Sequence, residues 1–320
     1  MADTQGRITL WALEVFLAAA EDRSISAAAR RLSASVSGVS QQLTALEAAL
    51  GVELLDRSAR PMTLTPAGDM FRKRAQAIVN EATQARAELA GDLAGLTNFR
   101  LGMVEDFDSD VTPRLLAGMA EELKTCQFLL ETGASHRLFD QLDSRALDVV
   151  VAADMGAVAE WMEVHPLLRE PFVVAAPKGM VDAGGDVLAQ LRALPLIQYS
   201  QRHHMGRQIA AHLAREDLRL AHRFELDSYH AIMAMVAGGA GWTILTPLGY
   251  LHAQRFRDRA DVLPLPFAPL SRRISLNARA GVLRDMPARV AGRLRPLLQE
   301  LVVAPAVARM PWLAGELRVL

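Results

Sequence analysis

Two short helical patterns separated by a three-residue break, Ser33-Ala34-Ser35, constrain the fold of this chain more than any other feature. Ser26 is placed to cap the first helix, because the hydroxyl of an N-cap serine accepts a hydrogen bond from an otherwise unpaired backbone N–H. The last serine of the break is placed to cap a second helix over residues 36–50, and Gly51 follows it as a typical C-terminal residue. This spacing predicts two helices that meet at a short turn.

The second of these helices carries an apolar stripe on one face and small or amide-bearing, uncharged side chains on the opposite face. A helix that only faces solvent normally carries Glu and Lys there, whereas a helix that enters the DNA major groove needs a slim surface that forms hydrogen bonds. The pattern therefore predicts a helix-turn-helix, with an ordinary helical hairpin as the alternative. The residues that we expect to contact bases are Ser35, Ser37, Ser40, Gln41 and Thr44.

Positive charge is concentrated in the same part of the chain, although the whole sequence has a net charge of −1. Residues 23–74 contain eight Arg or Lys and four Asp or Glu, which gives this segment a net charge of +4. Residues 54–68 combine an apolar start, a turn with arginines and an alternating stretch, which predicts a small β-wing. Cations in this region would bind DNA phosphates and fix the register of the protein. The residues that we expect to contact phosphates are Arg30, Arg31, Arg57 and Arg60.

A set of short motifs runs without a gap through the helix-turn-helix and the wing. Its members are Ser24-Ile25-Ser26, Ala28-Ala29, Leu32, Val39-Ser40, Gln42-Leu43, Leu46-Glu47, Gly51, Leu54, Arg57, Leu64-Thr65 and Ala67-Gly68. Together they resemble the LysR-type transcriptional regulators, with departures at Val36, where that family usually has a glutamine, and at Leu55, where it usually has a phenylalanine. The resemblance implies a winged helix-turn-helix that binds double-stranded DNA, in a regulator rather than an enzyme.

A long helix is predicted after the wing, because Thr65-Pro66 supplies an N-cap followed by a proline in the first turn. No glycine or proline lies between residues 69 and 90, and the apolar residues are spaced by four and three positions, as in paired helices. An amphipathic helix packed on its own chain is the alternative. The family resemblance implies a dimer formed through residues 66–97 and a homotetramer formed through the sensing domains. The seam residues are Phe71, Ala75, Ile78, Ala82, Ala85 and Leu89.

After a predicted hinge at residues 90–98, short apolar segments alternate with helical segments. This alternation is typical of an α/β fold that binds ligands at the carboxyl ends of its strands. The first three apolar segments, 99–104, 127–132 and 147–153, are predicted to be buried parallel strands. Later segments with the same pattern are 172–177, 195–200, 223–228 and 242–247, and a further segment at 272–281 follows them.

The second half resembles the LysR effector domain, which shares its fold with type II periplasmic binding proteins, at FRLGM, LDVVVA and VAGGAGWTILTP. The fold class expected for the chain is thus an all-α winged helix-turn-helix with a long linker helix, followed by an α/β two-lobed domain. The implied divisions are a DNA-binding domain at 1–65, a linker at 66–97, an effector domain at 98–303 and a C-terminal extension at 304–320. Within the effector domain, lobe I would contain residues 98–162 and 267–303, and lobe II residues 163–266.

A small-molecule effector is expected between these lobes, at strand ends and helix starts. Hydroxyls at helix N-termini favour a small organic acid. The acidic residues between positions 105 and 110 would favour an amine-bearing ligand instead if two of them face inward, so the charge of the effector stays open. The candidate effector contacts are Ser109, Thr112, Thr132, Ser135, Tyr199, Ser200, His203, Asp227 and Ser228.

The sequence contains little that favours an enzyme. Its one cysteine, Cys126, excludes an internal disulfide or a cysteine-based zinc cluster, and no HExxH motif is present. We therefore expect no catalytic residue, no metal site and no cofactor. No apolar run reaches the roughly 20 residues of a membrane span, and a cytoplasmic location is expected. The alternative function is a small-molecule binding or interaction module whose N-terminal domain no longer reads DNA sequence.

Overall fold

The computed structural model describes residues 7–89, 98–156 and 158–320, and these form two compact units. The N-terminal unit contains residues 7–89, and the C-terminal unit contains most of residues 98–320. All but the last residue of the predicted hinge at 90–98 lies outside the described residues, as does the end of the linker.

Three helices and a small hairpin form the body of the N-terminal unit. They are α1 (Leu10–Asp22), α2 (Ile25–Arg31), α3 (Val36–Leu50), β1 (Leu55–Asp56) and β2 (Thr63–Leu64), and the long helix α4 (Pro66–Leu89) follows. Leu13, Phe16, Leu43 and Leu46 are almost fully buried, so the apolar stripes of α1 and α3 meet in one core. The strands β1 and β2 pair antiparallel and form the predicted wing.

Side-chain caps fix the ends of these helices. The prediction that Ser26 caps α2 is wrong, because the helix begins two residues earlier and Ser24 Oγ accepts from the N–H of Ala27 at 3.3 Å. Ser35 caps α3 as predicted, and its Oγ accepts from the N–H of Gly38 at 3.0 Å. Gly51 has φ +68°, a left-handed conformation that glycine adopts without steric cost, and it ends α3.

The apolar seam of α4 divides into two parts. Ala75 is fully buried, and the ring of Phe71 packs 5.5 Å from that of Phe16, so the first part of the seam belongs to the core of its own unit. At these two residues α4 therefore packs on its own chain, as the alternative prediction of an amphipathic helix stated. Further along, Ile78 is 46% exposed and Ala85 is exposed.

A six-stranded sheet forms the larger part of the C-terminal unit, with strand order β13-β6-β12-β5-β3-β4. Its strands are β3 (Asn98–Met103), β4 (Gln127–Thr132), β5 (Val149–Ala153), β6 (Met162–Pro171), β12 (Ser271–Arg279) and β13 (Arg318–Val319). The helices between and after them are α5 (Val111–Glu122), α6 (Ser135–Asp143), α11 (Met286–Leu298) and α12 (Ala304–Arg309). β3 pairs parallel with β4 and β5, whereas β12 pairs antiparallel with β5 and β6.

A second part of this unit contains a three-stranded and a two-stranded sheet. The three strands, in the order β10-β7-β11, are β10 (Thr243–Leu245), β7 (Val173–Pro177) and β11 (Ala260–Pro264), and the pair is β8 (Leu196–Tyr199) with β9 (His222–Leu226). The accompanying helices are α7 (Val187–Arg192), α8 (His204–Arg215), α9 (Tyr229–Ala237) and α10 (Pro247–His252). The chain passes between the larger sheet and the three-stranded sheet twice, from β6 to β7 and from β11 to β12.

Two expectations about the strands are wrong. β4 was expected to be buried, but it is the edge strand of the larger sheet, and Leu129 and Leu130 are 56% and 38% exposed. β7 and β10, expected to follow the parallel pattern, pair antiparallel with each other. Both errors have one cause, since an apolar segment shows that a strand forms but not which neighbour it pairs with.

The C-terminal extension packs on the C-terminal unit itself. Its last strand, β13, pairs antiparallel with β6, and Arg295 Nε donates to the backbone oxygen of Leu320 at 2.7 Å. Met310, Leu313 and Leu317 are at most 4% exposed, so the extension adds a layer to the core and covers one edge of the larger sheet. Within the described ranges, no helix combines the length and the hydropathy of a membrane span.

Leu313→Ala is expected to lower the free energy of unfolding of the C-terminal unit by about 2–5 kcal/mol, because it removes fully buried methyl groups and leaves a cavity. The matched control is Leu320→Ala, since the Leu320 side chain is 38% exposed and should lose less than about 1 kcal/mol. Denaturant unfolding of both variants measures the difference. Equal, small losses would mean that the extension is not part of the folded core.

Candidate functional site

The exposed face of α3 presents the side chains predicted to contact bases. Ser37, Gln41 and Thr44 are exposed and Ser40 is half-buried. Ser35 is exposed as well, but its Oγ accepts from the N–H of Gly38 and lies 3.3 Å from Ser37 Oγ. Its hydroxyl is therefore already engaged as the N-cap of α3. The result is a short, uncharged row of hydroxyl and amide groups, which suits base edges in a major groove.

The arginines predicted to contact phosphates fall into two groups. Arg57 Nη2 lies 2.6 Å from Glu47 Oε2, and Arg31 Nη1 lies 2.7 Å from Glu21 Oε2. Arg30 and Arg60 are exposed, and no ion pair of theirs is found within the described part of the chain.

Glu47 explains why Arg57 is held at the start of the wing. Its Oε1 accepts from the backbone N–H groups of Leu54 and Leu55, at 2.9 and 3.2 Å, while its Oε2 accepts from Arg57. Arg57 therefore has a structural contact on this carboxylate, and Arg60 presents its charge from the turn of the wing.

A cleft of about 80 Å³, partly open to solvent, lies at the carboxyl ends of β3, β4 and β5 and beside the start of α8. Of the nine predicted effector contacts, Ser135, Tyr199, His203 and Asp227 line it. The lining also contains residues that were not among the predicted contacts: Glu105, Asp106, His136, His204, Gln208, Tyr229 and Arg272, with the smaller or apolar Val104, Gly133, Ala134, Ala153 and Met205.

The other five predicted contacts are not among the described residues that line this cleft. Thr112 is fully buried and its Oγ1 donates to the backbone oxygen of Phe107 at 2.9 Å, so its hydroxyl closes the loop before α5. Ser200 is buried and donates to Glu225 Oε1 at 2.8 Å. Ser109, Thr132 and Ser228 are exposed.

The floor of the cleft is a buried ion cluster around Arg272, whose side chain is 8% exposed. Arg272 Nε donates to Glu170 Oε2 at 2.7 Å, and Nη2 donates to Asp106 Oδ2 at 2.8 Å. The Glu170 side chain is fully buried and its Oε1 accepts from the N–H of Leu248 at 2.7 Å. Removing one partner from such a cluster costs about 3–5 kcal/mol, because the remaining charge stays buried without compensation.

Burial and neighbouring charges shift the pKa values of several titratable side chains in and beside the cleft. Burial raises the pKa of Glu170 to about 7, with Arg272 opposing and Asp106 reinforcing the increase. The shift is upward because the carboxylate is fully buried and because Glu170 shares one guanidinium with a second carboxylate, that of Asp106. Burial also raises the pKa values of the Tyr199 and Tyr229 hydroxyls, and it lowers those of the His136 and His204 imidazoles.

Comparisons with known proteins identify the family. Residues 10–69 match the family described as bacterial regulatory helix-turn-helix protein, lysR family, and residues 97–294 match the LysR substrate binding domain. The chain belongs to the LysR family. As a member of that family, it is a DNA-binding transcriptional regulator with an effector-binding domain, and it is not an enzyme.

Individual LysR-family relatives match almost the whole length of the chain. A probable hydrogen peroxide-inducible genes activator of Mycobacterium avium is 32% identical over 315 residues, covering 97% of this chain and 99% of the relative. Corynebacterium glutamicum OxyR, in a cysteine-to-serine mutant with bound H2O2, is 26% identical with a TM-score of 0.56 and coverages of 95% and 96%. A full-length cysteine-to-aspartate mutant of Pseudomonas aeruginosa OxyR shows the same fold, with 24% identity, a TM-score of 0.65 and coverages of 90% and 95%.

The single cysteine of this LysR-family chain lies away from the cleft. Cys126 directly precedes β4, whereas the cleft lies at the other end of that strand. Burial, reinforced by Asp148, raises the pKa of the Cys126 thiol, which disfavours the reactive thiolate. With one cysteine in the sequence, an intramolecular disulfide cannot form.

Replacing Glu170 with Gln should flatten the pH dependence of stability between the ordinary pKa of 4.5 and the raised value of about 7. Because the pKa of Glu170 is higher in the folded chain, the folded state binds more protons in this range, and the free energy of unfolding falls as the pH rises. The wild-type protein should therefore lose up to about 3 kcal/mol that the variant does not lose.

Denaturant unfolding of both proteins across this range measures the effect, and the contributions of groups that do not interact with Glu170 cancel in the difference between the two curves. Parallel curves would mean that Glu170 keeps an ordinary pKa and that the buried cluster is fully ionised.

Proposed function

We propose that this LysR-family regulator reads DNA sequence with the exposed face of α3 and is switched by a small molecule bound in the cleft. The proposed division is a DNA-binding domain at 1–65, a linker helix at 66–97, a two-lobed effector domain at 98–303 and an extension at 304–320. In the effector domain, lobe I is assigned residues 98–162 and 267–303, and lobe II residues 163–266.

The uncharged, exposed face of α3 is the observation that carries this proposal. Glutamine pairs with adenine, and serine or threonine bonds to either kind of base, so this face suits sequence recognition in the major groove. The proposed base contacts are Ser35, Ser37, Ser40, Gln41 and Thr44. Arginines of α2 and of the wing would position the duplex through its phosphates. The proposed phosphate contacts are Arg30, Arg31, Arg57 and Arg60.

The exposed part of the α4 seam supports self-association. Ile78 and Ala85 are exposed at spacings that suit a second copy of the same helix. We propose a dimer formed through residues 66–97 that binds a partly palindromic site, and a tetramer formed through the effector domains. A regulator of this kind acts where the chromosome lies, so we assign it to the cytoplasm.

The cleft supports a non-covalent effector. A curated relative is named for hydrogen peroxide and a solved relative is described with bound H2O2, but the lone Cys126 provides no second thiol for a disulfide. We propose that the effector binds beside Ser135, Tyr199, His203 and Asp227, changes the separation of the lobes, and thereby alters how the dimer bends DNA.

Gln41→Ala should weaken binding to the preferred DNA site by about 1–3 kcal/mol and relax the preference at one base pair, because a bidentate amide contact is lost. The site is the best-bound duplex recovered from a random-sequence library, and fluorescence anisotropy measures the affinities. Equal losses on this site and on random DNA would contradict the assignment of the base-contacting face.

Arg60→Ala should weaken binding to every sequence alike and reduce the slope of log K against log salt by about one, because one phosphate contact is lost. Titrations at a series of salt concentrations measure the slope. Glu53→Ala is the charge-removal control on an exposed residue of the same unit, and it should not reduce the slope. An unchanged slope for Arg60→Ala would remove this residue from the phosphate contacts.

A further inference from the structure

One oxygen of Asp106 is buried in the cleft without a hydrogen-bond partner. The side chain is 3% exposed, and Oδ2 accepts from Arg272, while Oδ1 has no partner among the residues that the structure describes. A buried carboxylate oxygen that loses water without gaining a donor is costly. This position in the cleft therefore favours a ligand that donates a hydrogen bond.

The charges around this oxygen favour a positive ligand. Three carboxylates line the cleft, those of Glu105, Asp106 and Asp227, against the single guanidinium of Arg272. That guanidinium is also bound to Glu170, so its charge is already shared between two buried carboxylates. The lowered pKa values of His136 and His204 favour their neutral forms, so these imidazoles add little positive charge. Among the lining side chains, carboxylates thus outnumber guanidinium groups by three to one, which disfavours a carboxylate ligand.

Aromatic rings form one wall of the same cleft. The ring of Tyr199 lies 5.6 Å from the ring of Tyr229 and 5.7 Å from that of His203. The face of a tyrosine ring attracts an ammonium group and packs against an apolar body at low cost in conformational entropy. A carboxylate acceptor beside aromatic rings is the combination that recognises organic ammonium ions.

We propose that the effector of this regulator is a small organic amine, bound as its ammonium ion with an N–H donated to Asp106 Oδ1 and its apolar body against Tyr199. This inference deepens the proposed function and rests on the cleft being the effector site. It also connects the ligand to the crossover strands, because Asp106 shares Arg272 with Glu170 of β6.

The test uses ligands with the same carbon skeleton and different head groups. Butylamine, butanol and butyrate are titrated into the full-length protein by calorimetry, and the series is repeated with phenethylamine, phenylethanol and phenylacetate. The amine of each set should bind about ten-fold more tightly than its alcohol, because both can donate a hydrogen bond to Asp106 but only the ammonium adds a positive charge to the donor. Equal or tighter binding of the carboxylate, or no binding of either amine at millimolar concentration, would overturn the proposal.

Two pairs of variants separate recognition from folding. Asp106→Asn should abolish the preference for the amine over the alcohol, whereas Asp108→Asn, in the same loop but outside the cleft lining, should keep it. Tyr199→Leu should lower amine affinity more than alcohol affinity, whereas Tyr199→Phe keeps the ring and should keep the preference. If Asp106→Asn does not fold, the Tyr199 pair and the wild-type series still decide the question.

A parallel measurement of DNA binding distinguishes a failure of the amine inference from a failure of the proposed function. Sequence-specific DNA binding without a preference for amines would contradict this inference alone. An amine preference in a protein that binds all DNA sequences alike would contradict the proposed function and leave the ligand class standing.

Discussion

The geometry of the C-terminal unit depends on the contacts that the buried guanidinium of Arg272 makes with Glu170 and Asp106. Arg272 and Glu170 are register partners on β12 and β6, close to the two points where the chain passes between its larger and three-stranded sheets. The same guanidinium holds Asp106 after β3, and Glu170 also binds the first turn of α10. Without this positive charge, two buried carboxylates would face each other. The cluster therefore fixes both crossovers and one loop of the cleft together.

In the proposed mechanism, this shared guanidinium links ligand binding to the separation of the lobes. A ligand shifts an equilibrium only by as much as its affinity differs between the two states. A donor at Asp106 Oδ1 adds a second partner to a carboxylate whose Oδ2 already accepts from Arg272. Any resulting change in the contact between Asp106 and Arg272 acts on strands that cross between the lobes. Hinge closure through a few residues at element ends is a common form of such transitions. The extension at 304–320 is attached to one of these strands, since β13 is paired with β6.

Local features of the fold could be predicted from the sequence, and long-range pairing could not. The helix-turn-helix, the wing and the start of α4 depend on caps, stripes and turns within a few residues. These three elements were found in place, although Ser24 rather than Ser26 caps α2. The partners of β4, β7 and β10 depend on segments far away in the chain. The residues of the candidate site were likewise predicted only where local sequence determines their positions. Ser135, Tyr199, His203 and Asp227 follow from their positions at element ends. The pairing of Arg272 with Glu170 spans 102 residues and leaves no mark in local spacing, so the cluster was missed.

If the exposed face of α3 reads DNA sequence, a dimer of this protein should select DNA fragments with two related half-sites. The most direct measurement is to incubate the purified protein with sheared genomic DNA at near-physiological salt, recover the bound fragments and sequence them. We expect enrichment of fragments with two related half-sites about 10 base pairs apart, or a multiple of that distance. Uniform recovery of all fragments, falling steeply as salt is raised, would show phosphate binding alone and would contradict this expectation.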